Sequence, residues 1–166
     1  MSKYIIKGGR KLTGRIKVSG NKNSIFPCVA AALLTHEEVI LENIPNLKDT
    51  GVLIEIIKKI GVRVKREEHS LIIQADKINK TSLPKELVVK LRGSIVLAGA
   101  ILGRKSKVSF HHPGGDIIGR RSIETHLDGF KNLGANLKRD DLNFTLSIPA
   151  GKNNGDLDFS LKEASV

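Results

Sequence analysis

The stretch KNSIFPCVAAALLTHEEVIL (22–41) starts polar, turns apolar on every side of a helix, and ends in a strand-like run. Its outline returns in RGSIVLAGAILGRKSKVSF (92–110), where Ser94-Ile95 takes the place that Ser24-Ile25 holds in the first stretch. Further on, FKNLGANLKRDDLNFTLSI (130–148) retraces IKKIGVRVKREEHSLIIQA (57–75), with Leu133-Gly134-Ala135 matching Ile60-Gly61-Val62. Two copies of one unit of about 70 residues are therefore present, and a fixed internal period decides fold before local propensity does. The tail LDFSLKEASV (157–166) resembles the approach to a third copy, with Ser165 one further period beyond Ser94.

Each unit predicts the order buried helix, strand, amphipathic helix, Gly, two strands, which makes the fold class α/β. In the first unit Asn23 or Ser24 is the expected N-cap, with Pro27 in the first turn, where a missing N–H is tolerated. A helix apolar on all faces should be buried on all sides, and Cys28 is expected inside it. VILENI (39–44) predicts a strand, and residues 48–60 a helix with Val52, Leu53, Ile56, Ile57 and Ile60 on one stripe. Gly61 should end that helix. VRVKRE and SLIIQA then predict a hairpin. Ahead of the repeat, YIIKGG (4–9) and RIKVSG (15–20) alternate as two strands would. Two copies leave one side of each buried helix without a neighbour, so the domain reads as unfinished.

The composition narrows the partners. With 28 basic against 17 acidic residues and a formal charge of +11, the chain favours anions. Nucleic acid is disfavoured because aromatics make up only 4% of the chain and Trp is absent, while base stacking needs aromatic platforms. Cys28 is the only cysteine, so neither an intrachain disulfide nor a thiolate cluster can form. No signal peptide or spanning segment is recognisable, and the expected location is the cytoplasm, without a membrane partner.

Lys22 and Arg92 hold equivalent places, each just ahead of the matching serines Ser24 and Ser94. A cation at a helix N-terminus is disfavoured by about 0.3–1 kcal/mol, so its repetition suggests that an anion compensates. In HHPGGDIIGRR (111–121), Gly114 and Gly115 allow backbone close approach and expose N–H groups. His111 and His112 are adjacent and so point to opposite faces of a strand end. No metal site is assigned.

VSGNKNS (18–24), LRGSIVLAGAIL (91–102), PGGDIIGRRSIETHLDGFKNLGA (113–135) and ASV (164–166) together resemble the UDP-N-acetylglucosamine 1-carboxyvinyltransferases, the enolpyruvyl transferases that begin peptidoglycan synthesis. The resemblance implies an inside-out α/β barrel, incomplete here, with two of the three repeats of one domain. Residues 1–20 would be strands of the other domain, 21–91 the first repeat, 92–161 the second and 162–166 the start of a third. The implied reaction moves the enolpyruvyl group of phosphoenolpyruvate to the 3-hydroxyl of UDP-N-acetylglucosamine and releases phosphate. No cofactor is implied, and a missing C-terminal portion would be needed to complete the site.

Carried over by position, Lys22 and Asn23 resemble the residues that contact phosphoenolpyruvate, and Lys22 joins Asp116 as catalytic. Arg92, Arg121, Ser122, Ile123, Glu124, Thr125, Ser165 and Val166 resemble the residues around UDP-N-acetylglucosamine. Asp116 stands where many members carry a cysteine that protonates the methylene carbon of phosphoenolpyruvate. A carboxylic acid there implies resistance to fosfomycin, which alkylates the thiol. RRSIETH departs from the common RPIDLH pattern at Ser122, Glu124 and Thr125. Two alternatives stay open: a non-catalytic module that binds UDP-sugars or other anions, and a relative of the shikimate-pathway enolpyruvyl transferase, expected to carry DKS where this chain has Asn21-Lys22-Asn23-Ser24.

Overall fold

The computed structural model describes residues 3–115 and 122–149. Two units share one element order. The first runs α1 (Lys22–Ala32), β1 (Glu38–Leu41), α2 (Lys48–Lys59), β2 (Arg63–Glu67) and β3 (Ser70–Gln74). After the short α3 (Lys85–Val88), a 3-10 turn (Arg92–Ile95) leads into α4 (Val96–Lys105), β4 (Lys107–His111), α5 (Glu124–Asn132), β5 (Asn136–Asp140) and β6 (Asn143–Ser147). Each unit closes a three-stranded antiparallel sheet, ordered β1-β3-β2 and β4-β6-β5, so the last strand of each hairpin lies in the middle.

Strand alternation sets which sheet face meets the core. In β3, Leu71 and Ile73 are fully buried, while Ile72 between them faces outward, flanked in register by Ile40 and Lys65. In the second unit Val108, Phe110, Phe144 and Leu146 play the inward part, with the Phe110 and Phe144 rings stacked at 5.5 Å. Helices α1 and α4 pack on each other between these sheets. Helix α2 buries Leu53, Ile56 and Ile57 along its stripe and ends at Gly61, whose φ of +104° suits a residue without a side chain.

Four expectations need correction. Residues 3–20 form no strand: Tyr4, Ile6, Leu12 and Ile16 are at least 90% exposed, because alternation makes a strand only where an edge and an apolar surface receive it, and no described element does. The cap of α1 is Asn21, whose Oδ1 accepts the Asn23 N–H at 2.7 Å, so the helix begins earlier than expected. Pro27 consequently falls at the sixth position, past the first turn, and leaves the Asn23 carbonyl without its helical donor. Helix α1 is also not buried all round: Ser24, Pro27, Cys28 and Ala31 form an exposed stripe, and Leu34 beyond it is 56% exposed. The spacing of 3 and 4 puts Ser24, Pro27, Cys28 and Ala31 on one side of the helix.

Arg104 locks the units together. One guanidinium nitrogen donates to the Leu33 and Thr35 carbonyls at 2.7 and 2.9 Å, and the other donates to the Ala75 carbonyl at 3.0 Å. It thereby satisfies acceptors at the C-terminal end of α1 and beyond β3, where carbonyls otherwise lack partners. Arg104→Ala is expected to lower stability by roughly 2–3 kcal/mol in urea unfolding, because part-buried acceptors lose a charged donor. Arg104→Lys should recover only part of the loss, since a single ammonium lacks the fork that spans both sets of carbonyls.

Candidate functional site

At the head of α1, and of the 3-10 turn that leads into α4, stands a cation that reaches toward the start of its unit's amphipathic helix. Lys22, the first residue of α1, places Nζ 3.0 Å from Oδ2 of Asp49 in the first turn of α2. The side chains are 46% and 37% exposed. Arg92, the first residue of the 3-10 turn, donates from its guanidinium to the Ser122 carbonyl at 2.8 Å, just ahead of α5. The repeat places Lys22 and Arg92 at matching points, and the structure gives them matching reach.

Lys22 already has a counter-charge within the fold. The sequence alone calls for an anion to offset the cation at the helix start, yet Asp49 already supplies a negative charge beside it. The Asn23 N–H, one of the first-turn donors available to a ligand, is spent on the Asn21 side chain.

The glycine pair brings the next loop onto Arg92. The Gly114 N–H donates to the Val88 carbonyl at 3.1 Å, so this donor is not free for an anion. A Cβ on Gly114 would lie 1.8 Å from the Val89 carbonyl oxygen, and one on Gly115, where φ is +118°, 3.2 Å from the Arg92 backbone nitrogen. Only hydrogen at these positions lets the loop lie against residues 88–92. Asp116, Arg121, Ser165 and Val166 lie outside the described residues.

The residues after Arg121 divide by chemistry. Ile123 is 1% exposed and packs in the core, so what it offers a ligand comes from its backbone. Ser122 Oγ accepts the Glu124 N–H at 3.0 Å and tethers the start of α5. Glu124 is engaged by Arg139 at 2.9 Å, and the Arg139 guanidinium also lies 5.2 Å above the Phe144 ring. Thr125 is half-buried. At the strand end, His111 Nδ1 sits 3.1 Å from the His112 carbonyl oxygen.

Two residues join the site that the sequence did not single out, Asp49 and His126. Asp49 carried no signal beyond holding, in the first unit, the place of Ser122 in the second. His126 lies in the first turn of α5, where loss of hydration and then repulsion from Arg92 hold its imidazole below the ordinary value of 6.5. The folded chain therefore binds fewer protons than the unfolded chain as pH falls below that value, and stability is lost in that direction. Wild-type protein should lose more stability than His126→Gln between pH 7.5 and 5.5 in matched denaturant titrations.

Paired sheets around central helices, with cations at the helix starts, place the chain in a recognisable structural class. The enolpyruvyl transferase NikO from Streptomyces tendae superposes with a TM-score of 0.72 at 26% identity, over 85% of this chain and 31% of that one. The fold is thus the α/β enolpyruvyl transferase fold, present in part. A family model described as EPSP synthase (3-phosphoshikimate 1-carboxyvinyltransferase) matches residues 6–166, and the chain belongs to that family.

Among curated proteins, the UDP-N-acetylglucosamine 1-carboxyvinyltransferase of Borreliella burgdorferi is 44% identical over 100% of this chain and 38% of its own length. That of Treponema denticola is 41% identical with the same coverage. The chain therefore spans a little over a third of the length of these relatives. No helix among the described residues is long and apolar enough to cross a membrane.

Proposed function

We propose that this chain is part of a UDP-N-acetylglucosamine 1-carboxyvinyltransferase that acts in the cytoplasm. The observation that carries the proposal is the 41–44% identity to proteins of that name along the whole chain. Phosphoenolpyruvate and UDP-N-acetylglucosamine are both anions, which suits the cations at the helix starts and the formal charge of +11. Residues 21–91 and 92–161 are two repeats of one domain, 162–166 begin a third, and 1–20 belong to the other domain. The exposed apolar side chains of residues 3–20 and the bare stripe of α1 fit a chain whose partners lie elsewhere in the complete enzyme.

In the reaction, the sugar 3-hydroxyl gives its proton to a base supplied by the missing portion as its oxygen bonds to C2 of phosphoenolpyruvate, while Asp116 delivers a proton to the C3 methylene. Elimination then returns a proton from the new methyl group and expels phosphate, which restores the double bond. Lys22 and Asn23 hold phosphoenolpyruvate, and Arg92 and Arg121 hold phosphate oxygens of the substrates. Ser122, Ile123, Glu124 and Thr125 line the nucleotide, with Ser165 and Val166 near its diphosphate. Asp116 lacks the thiol that fosfomycin alkylates, so the enzyme resists the drug. Cys28 is exposed on α1 rather than buried.

Calorimetric titration of the chain with UDP-N-acetylglucosamine and with shikimate 3-phosphate tests the substrate. Heat with the first alone supports the proposal, and heat with the second alone transfers the chain to the shikimate-pathway activity. Phosphate release after a C-terminal chain is supplied separates an enzyme from a binding module.

A further inference from the structure

Each unit links its leading cation to the start of its amphipathic helix. The repeat register that relates Gly134 to Gly61 also relates Ser122 to Asp49 and Ile123 to Thr50. Burial agrees with it, since Thr50 is 0% and Ile123 1% exposed. The same link from helix start to helix start is therefore built twice, from Lys22 to a carboxylate and from Arg92 to the backbone carbonyl of an uncharged serine.

We propose that Asp49 is an internal counter-ion for Lys22, which an incoming anion must displace, and that it thereby sets the strength of the first repeat's anion position. This rests on the reading of Lys22 as an anion contact. Asp49 stands in the first turn of α2, where the helix dipole favours a carboxylate. Neither side chain is buried, so water and ligand can reach the pair. An anion on Lys22 Nζ comes within a few ångströms of the Asp49 oxygens, about 4 Å being the range over which like charges act strongly. Asp49 is thus a residue that tunes specificity, acting through Lys22 without donating to the ligand.

The test is an NMR titration of the 166-residue chain with inorganic phosphate. Amides of Lys22 and Asn23 report the first position, and those of Gly93, Ser94 and Ile95 serve as the reference in the second unit. In Asp49→Asn and in Asp49→Ser, which copies the second repeat's residue, phosphate should bind the Lys22 position about two- to fivefold tighter, the range of an exposed ion pair. The reference should not change, and adding Lys22→Met to either variant should abolish the gain. Circular dichroism establishes that each variant is folded, and the serine variant serves if the asparagine variant is not.

Unchanged or weaker binding at Lys22 overturns the proposal, as does an equal gain at both positions or no phosphate response in any variant. A chain that answers phosphate as expected but ignores UDP-N-acetylglucosamine overturns the enolpyruvyl reading and leaves this one standing.

Discussion

Asp116→Asn, made in a chain extended to the length of its relatives, is expected to lower phosphate release by about 10²–10⁴-fold, the usual worth of a positioned general acid. The amide has nearly the shape of the acid and no proton to give to a carbon. Asp116→Cys should keep turnover, because a thiol can also deliver the proton, and should become sensitive to fosfomycin where the parent resists it. Normal turnover in Asp116→Asn would remove the residue from the mechanism.

Gly114→Ala is the second large effect, and it needs no substrate to be seen. The added carbon would meet the Val89 carbonyl at 1.8 Å, and backbone cannot step aside as a flexible side chain could. Loss of about 1–3 kcal/mol in urea unfolding is expected, as for overpacking elsewhere. The loop must also lift from residues 88–92 and break the Gly114 to Val88 hydrogen bond. In the extended enzyme, turnover should fall with it, because Gly115 is moved relative to Arg92. Gly114→Ala with parental stability and turnover would show that the close packing is dispensable.

Much of the fold was legible because it is local or repeated. The stripe of α2, the stop at Gly61 and both hairpins depend on neighbours in sequence, and the paired Ser-Ile and Gly positions exposed the repeat. What misled was everything that depends on a distant partner. Apolar residues around α1 promise burial, but Cys28 and Ala31 are covered only if something packs on them. The alternation in YIIKGG promises a strand, yet a strand exists only by hydrogen bonding to another.

The site shows the same division. Lys22 and Arg92 were found from their shared place in the repeat. Asp49 and His126 were missed because their roles come from a 3.0 Å ion pair and from the field of Arg92. The cap shows a finer limit, because Asn21, Asn23 and Ser24 are all good capping residues and only the backbone distinguishes them.

The crossing between the units also bears on how the chain behaves in solution. The Ser109 N–H donates to the Thr81 carbonyl and the Leu83 N–H to the Ser109 carbonyl, both at 2.9 Å, so Ser82 lies parallel to β4 along its outer edge. Among the described residues β1 has no such cover, and Ile40 stands 58% exposed on it. The β4 edge therefore carries its own guard rail while the β1 edge is an open template of amides and carbonyls, the kind that recruits foreign strands. Solubility of the isolated chain is expected to be set at that edge, and a cut at residue 91 would strip the rail from β4 and leave both fragments with a bare first strand.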